Sequence, residues 1–411
     1  MKFIHCADIH LGKTYYNNET RYNDFFDAFS SVVDKAIIEE VDALLIAGDL
    51  FHNAGVKPLT LSKTIDILEP LKRSGVEVVA ISGNHDRIYK QGELSWLQFL
   101  SLRGYLKFLQ PSINTHTGEI NFPEWNDKKK SGGKINIKGV NIYGLGYFGA
   151  TGGLMAKKSL EKIDPKQNNI LLFHTGVWDY AFIDIGKISK EEIMPLKDFF
   201  NYVALGHGHN HYEIGDFAYN PGSLENVNLG EEKQGKGYYI VKFEGSTPKP
   251  EHITVKTRPL LRFDIDVSGN RSSKDVYQTI AEYCLSKEDS VSPGSIIFIR
   301  IFGQIYFHSY EIESDILREV IYDKFSPIYI DIENLASLTS KKMRGEEVLT
   351  LDERVRRAIQ DMVEESEKYK AYSKELTGLI FNFKDFALSK SYNEEEIIDY
   401  IQKERKRIYE D

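Results

Sequence analysis

Between Lys2 and Asn84 three short apolar runs, KFIHCAD, ALLIAGD and VEVVAISGN, are separated by long amphipathic stretches near Arg21 to Glu40 and Leu59 to Lys72. Uniformly apolar runs of this length read as strands buried on both faces, and such strands joined through helices form a parallel sheet. The chain is therefore expected to begin as βαβαβ around a central buried sheet. Short strands continue around KINIKGVNIYGLG, ILLFHTG, YVALGHG and GYYIVKF, so one layered α/β domain, a sandwich of sheets flanked by helices, is expected over residues 1–258. DKKKSGGK, Asp127 to Lys134, reads as an exposed turn.

After Pro259 the pattern restarts, as it should in a chain of 411 residues, because single cores rarely grow past roughly 250 to 300 residues. LLRFDIDVSG, a helix capped by Ser272 and Asp275, SIIFIRIFG, a helix near Glu311 to Tyr322, and PIYIDIEN make a small α/β capping unit over residues 259–335. A polar linker and a helical tail fill residues 336–411, with Leu351, Val355, Ile359 and Met362 at helical spacing. A final helix is expected to start at Asn393, with Glu396 completing its cap.

No run of about 18 apolar residues occurs, and MKFIHCADIH lacks the form of a signal peptide, so a cytoplasmic protein without membrane association is expected. Cys6 and Cys284 are too few and too far apart for a disulfide framework and read as core residues in a reducing compartment. The net charge of -9 is not that of a chain gripping nucleic acid by phosphate neutralisation alone. Any such grip would rest on cations at the site and on a partner subunit.

The polar residues with chemical potential gather in five segments: ADIH, GDLFH, GNHD, FHTG and GHGHNH. Most follow an apolar strand directly, which puts them at the carboxyl ends of the sheet, where open α/β folds bind ligands. Imidazoles, carboxylates and one amide, with no thiolate, suit a pair of divalent cations such as manganese, iron or zinc. Asp49 is the expected bridge; Asp8, His10 and His209 would take one ion, and Asn84, His174 and His207 the other. Gly208 is expected to make the tight turn between His207 and His209. A two-ion site acidifies water and clamps phosphate oxygens, so the expected reaction is phosphate-ester hydrolysis. His85 is the spare group that could give a proton to the leaving oxygen, and His52 a contact to the phosphate. Any one of these pairs alone carries little weight; the ordered series DxH, GD, GNHD, H, GxH after successive strands carries the inference. His5, His116, His252 and His308 are assigned nothing.

That series is the signature of calcineurin-like metallophosphoesterases. ADIHLG, AGDLFH, GNHD, ALGHGH and NPGSLE resemble more narrowly the SbcD and Mre-eleven double-strand-break repair nucleases, over about residues 1 to 258. The resemblance implies manganese-dependent 3′ to 5′ exonuclease action on DNA ends, endonuclease action on single strands or hairpins, and a homodimer formed through helices of the first domain. It implies that Asp8, His10, Asp49, Asn84, His174, His207 and His209 hold metal, that His85 is catalytic, and that the unit over 259–335 caps the DNA channel. It also implies docking of the tail on an SMC-like ATPase of the SbcC type, for which the amphipathic stretch and Phe381, Phe383 and Phe386 offer apolar surface. Lys13, Arg87 and Lys90, next to the metal motifs, are candidate contacts to the DNA backbone. The competing readings are a metallophosphodiesterase for a small molecule such as a cyclic nucleotide, and a non-catalytic scaffold.

Overall fold

The computed structural model describes residues 1–14, 18–87, 94–114, 116–183, 185–339, 351–364, 369–389, 398 and 402–403. Lys90, the helix start expected at Asn393, and the side chains of Leu351 and Phe386 lie outside them. By contact the chain divides into Met1–Thr339 and Ser340–Asp411.

Strands of the three main sheets and helices of seven residues or more are numbered here in chain order. The first sheet contains β1 (Lys2–Cys6), β2 (Ala43–Ile46), β3 (Glu77–Ala80), β4 (Lys107–Phe108), β11 (Gly237–Glu244) and β12 (Thr247–Thr254), in the order β12-β11-β1-β2-β3-β4. The run β1 to β4 is parallel, and β11 pairs antiparallel to β1. The second contains β5 (Lys134–Ile137), β6 (Val140–Gly144), β7 (Asn169–His174), β8 (Tyr202–Gly206), β9 (Tyr212–Ile214) and β10 (Ala218–Asn220), in the order β9-β10-β8-β7-β6-β5. Its centre, β6-β7-β8-β10, is parallel.

The two-residue period of a strand sorts the apolar side chains into three layers. Phe3, Ala43, Leu45 and Val79 of the first sheet meet Ile142, Ile170, Leu172 and Ala204 of the second. Ile4, Cys6, Leu44 and Ile46 turn the other way, onto helices α1 (Glu19–Ile38), α2 (Pro58–Ser74) and α3 (Trp96–Leu102). Leu171, Phe173, Val203 and Leu205 back onto a separate cluster that includes Ala156 of α4 (Gly152–Ser159). The layered α/β sandwich read from the sequence is what forms. Helix α1 starts where Asn18 accepts the Arg21 amide, and α2 where Pro58 takes a position that needs no amide donor.

Residues 260–338 form a parallel sheet of β13 (Leu260–Asp266), β14 (Ile296–Ile305) and β15 (Tyr329–Leu338), with α5 (Ser273–Lys287) and α6 (Ser314–Phe325). The capping pair is present: the Asp275 amide donates to Ser272 Oγ at 3.3 Å and the Ser272 amide to Asp275 Oδ2 at 3.0 Å. Strand β15 runs to Leu338, so the boundary expected at 335 falls inside a strand. Arg258 ties this unit to α1, with Nε and Nη2 each 2.6 Å from Asp24 and Nη1 donating to Gly294 O.

In the tail, α7 (Leu351–Glu364) and α8 (Ser373–Ser389) pack together, with the Arg356 guanidinium 4.3 Å from the Phe381 ring centroid. Phe381 is buried and Phe383 half-buried, which removes part of the surplus apolar surface expected from the sequence. Val363 rather than Met362 takes the buried seam position of α7, because Met362 is exposed. No helix among the described residues is long and apolar enough to cross a membrane.

Candidate metal centre

The loops that follow β1 and β2 are zipped together beyond the strands. The amides of Asp8, Ile9 and His10 donate to Gly48 O and Asp49 O, and the His52 amide returns to Leu11 O. This pairing holds Asp8, His10, Asp49 and His52 on one ridge. Asp86 ties in the loop after β3, its buried carboxylate accepting from the amides of Leu50, Phe51 and Gly83. A side chain at Gly83 would put its Cβ 1.9 Å from Asp49 Oδ1, so glycine is required there. The second sheet supplies the other side: His174 ends β7, and His207 and His209 follow β8.

Asp8, His10, Asp49 and His207 adopt left-handed backbone with φ of 53°, 51°, 51° and 80°. Non-glycine residues in that region carry strain of about 1 to 3 kcal/mol each, sustained by the surrounding packing. The turn expected at Gly208 is made by His207 itself; Gly208 instead lets the backbone approach Tyr212 and Asn220, whose amide donates to Gly208 O and Asn210 O.

The donor atoms converge. Those of Asp8, His10 and His209 lie within 4.8 Å of one another, as do those of Asp49, His174 and His207. His174 Nε2 is 3.4 Å from Asp49 Oδ2 and 3.3 Å from Asn84 Oδ1, while His10 Nε2 is 3.9 Å from Asp49 Oδ2. A third trio within the same limit is His10, His52 and His85, so His10 belongs to two.

Tautomers follow from the partners, because a carbonyl or carboxylate oxygen can only accept. His174 Nδ1 donates to Ala47 O at 2.7 Å, which leaves Nε2 as the donor to a cation. His207 Nε2 donates to Ile185 O at 3.0 Å and leaves Nδ1. His209 Nδ1 faces Glu231 Oε1 at 2.8 Å, and its Nε2 lies 3.2 Å from His10 Nε2. His85 donates through Nδ1 to His52 O at 2.7 Å, its amide donates to Asp49 Oδ1 at 2.9 Å, and its ring stacks on His52 with centroids 5.1 Å apart.

Electrostatics match this geometry. Burial raises the Asp8 carboxyl above its ordinary range, outweighing nearby imidazoles. Burial also acts against ionised Asp49, yet His174, His10 and His85 outweigh it and hold the carboxyl below the usual range. His174 is disfavoured as a cation by burial but raised to about 9 by Asp49 and Asp8. Burial, against the opposing pull of Asp49, lowers His52 and His207 to about 3 and His10 well below its ordinary value. Most of these rings are therefore neutral at pH 7, the form in which imidazole binds metal.

Asp8 Oδ2 accepts the His207 amide at 2.8 Å, whereas Asp8 Oδ1 is buried without a hydrogen-bond partner. A buried carboxylate oxygen left unpaired amid imidazole nitrogens fits a divalent cation. No thiolate competes, since Cys6 is turned into the helical side of the sheet and burial pushes its thiol up.

Of the other expected residues, half-buried Lys13 follows the His10 turn and sits close enough to His52 to depress its pKa. The Arg87 guanidinium lies 6.0 Å from the Tyr147 ring centroid, and that ring is 5.1 Å from His207. His211 lies off the cluster, its Nε2 2.7 Å from Tyr239 Oη. His5 is no ligand; it is buried between the sheets against Tyr202 Oη and Leu205 O. Spacing did not single out Asp86, Tyr147 or Glu231, whose parts depend on contacts between distant segments.

Residues 1–213 match the family of calcineurin-like phosphoesterases, and the chain belongs to that family. Within it the chain is similar to proteins named DNA double-strand break repair protein Mre11. One from Saccharolobus solfataricus is 28% identical over 74% of this chain and 76% of its own length. Others are 30% identical from Archaeoglobus fulgidus, over 65% and 61%, and 28% identical from Methanocaldococcus jannaschii, over 70% and 75%. The resemblance read from the motifs is borne out, and the chain is a metal-dependent phosphodiesterase of that type.

Proposed function

We propose that this chain is the nuclease subunit that hydrolyses phosphodiester bonds at DNA double-strand breaks and hairpins, with two manganese ions and alongside an SMC-like ATPase of the SbcC type. The observation that carries the reading is that side chains from both sheets form two adjacent trios of donor atoms, Asp8 with His10 and His209 and Asp49 with His174 and His207, with Asp8 Oδ1 buried and unpaired. Asp8, His10 and His209 would hold one ion and Asn84, His174 and His207 the other, with the Asp49 carboxylate available to both. Bound there, the ions supply an acidified water and neutralise charge on the phosphoryl oxygens. His85 donates a proton to the leaving 3′ oxygen; its Nδ1 is occupied by His52 O, so Nε2 is the atom that exchanges the proton. His52 contacts a phosphate, and Lys13, Arg87 and Lys90 meet the backbone further along.

The names of the relatives support DNA ends as the substrate, and the unit at 260–338 supports a substrate larger than a cyclic nucleotide. The α7–α8 pair docks on the ATPase, and helices of the first domain form a homodimer in the cytoplasm. The deciding experiment incubates pure protein and manganese with labelled linear and hairpin DNA, beside bis-para-nitrophenyl phosphate and cyclic AMP. Cutting of DNA from its ends is expected. Hydrolysis of the small esters alone would mark a small-molecule phosphodiesterase, and no hydrolysis a scaffold. Deleting residues 340–411 is expected to abolish pull-down of the ATPase while DNA cutting by the free subunit persists.

A further inference from the structure

We infer that Glu231 is the positioning residue that aims His209 at the cation shared with Asp8 and His10; the inference rests on the two-ion reading above. Glu231 lies on the segment between β10 and β11 and is buried. Its Oε1 accepts from His209 Nδ1 at 2.8 Å and Asn228 Nδ2 at 3.0 Å. Its Oε2 accepts from the Val227 amide at 2.9 Å and Lys236 Nζ at 2.5 Å. Four donors therefore fix one carboxylate in place and orientation. Lys236, also buried, donates as well to His209 O at 3.0 Å and Ser223 Oγ at 2.9 Å. The Glu231–Lys236 pair thus grips both the ring and the backbone of His209.

This arrangement differs from that of the other two second-sheet imidazoles. His174 and His207 are oriented by backbone carbonyls, Ala47 O and Ile185 O, whereas His209 is oriented by a side-chain carboxylate. A carboxylate behind a metal-binding imidazole fixes the tautomer and raises the basicity of the opposite nitrogen more than a neutral carbonyl does. With Nδ1 turned to Glu231, Nε2 of His209 keeps its lone pair and faces His10 Nε2 at 3.2 Å, in the trio that His209 forms with Asp8 and His10. Losing the Glu231 charge should therefore weaken one cation and spare the one held by His174 and His207.

Glu231→Gln keeps the size of the side chain but removes the charge. Metal-free protein titrated with manganese, with free ion followed by electron paramagnetic resonance, should show two tight ions for the wild type. The variant should keep one unchanged and bind the other about 10- to 100-fold more weakly, with loss of the exchange-coupled two-manganese signal at two equivalents. A second measurement needs no folded variant: long-range proton–nitrogen correlation on metal-free wild type should find His209 as the Nδ1–H tautomer. Unchanged binding of both ions by a Glu231→Gln protein with wild-type circular dichroism, or an Nε2–H tautomer in the wild type, overturns the inference. A wild type that takes up fewer than two ions instead brings down the two-ion reading itself.

Discussion

The loops of the candidate metal centre and the small sheet unit at 260–338 obey opposite local rules. In the first, four candidate ligands, Asp8, His10, Asp49 and His207, sit on left-handed backbone, and Asp8, His10, Asp49, His174 and His207 are buried although polar or charged. In the second, the only described non-glycine residue with positive φ is Ser326, at a helix end, and the only buried polar residue described is Ser295. Strain and buried polarity collect where side chains must converge on one point, and that local conflict is stabilised by the packing of two sheets around it. The small unit has no such point to serve, and its propensity, caps and pattern agree with one another.

The sharpest way to break this contrast is Asp49→Ala. Removing the residue at which both halves meet should empty the site of manganese and lower DNA cutting on the order of 10³-fold or more, since such ions contribute several kcal/mol to the barrier. Retention of two ions, read by metal analysis after gel filtration, would show that convergence on Asp49 is not what holds them. His85→Ser should separate chemistry from binding. Cutting is expected to fall about 10²- to 10⁴-fold while both ions remain, and metal loss equal to that of Asp49→Ala would erase the distinction.

Buried polarity in the larger domain should also register as pH dependence. Burial lowers His5 to about 3 from an ordinary 6.5, against the opposing bond to Leu205 O. The unfolded chain binds this proton below pH 6.5 and the folded one does not, so the contribution is complete above that pH and is lost as pH falls toward 3. Between pH 7 and 5 the loss is about 2 kcal/mol. Urea midpoints for wild type and His5→Gln at both pH values should differ in slope by that amount; parallel slopes would exonerate His5. The smallest effect belongs to the small unit: Ser272→Ala should destabilise it by about 1 kcal/mol through loss of the cap. Manganese uptake should not change, and a coupled change in uptake would mean that the two regions are not energetically separate.

Much of the fold was legible because buried strands advertise themselves by composition. The ends of α1 and α2 fall within two residues of the expected positions, because the amphipathic pattern that marks them is local. The exposed strand Thr247–Thr254 was not legible: TPKPEHIT has no apolar run, and its pairing with β11 defines it. The candidate ligands were readable from their order along the chain, whereas the turn at His207 and the Glu231–Lys236 pair were not. Both arise from contacts between segments with no pattern relating them.

What the sequence determined alone was which apolar runs become buried strands, which amphipathic stretches become helices, and which side chains stand at the ends of those strands, since periodicity and caps act over a few residues. Only the tertiary structure decided that two six-stranded sheets face each other, that Asp8 Oδ1 is left unpaired, and that each imidazole is aimed through a particular nitrogen. Those features depend on distances between residues as many as 199 positions apart, such as His10 and His209, and they are set when the core excludes water and every buried donor must find its acceptor.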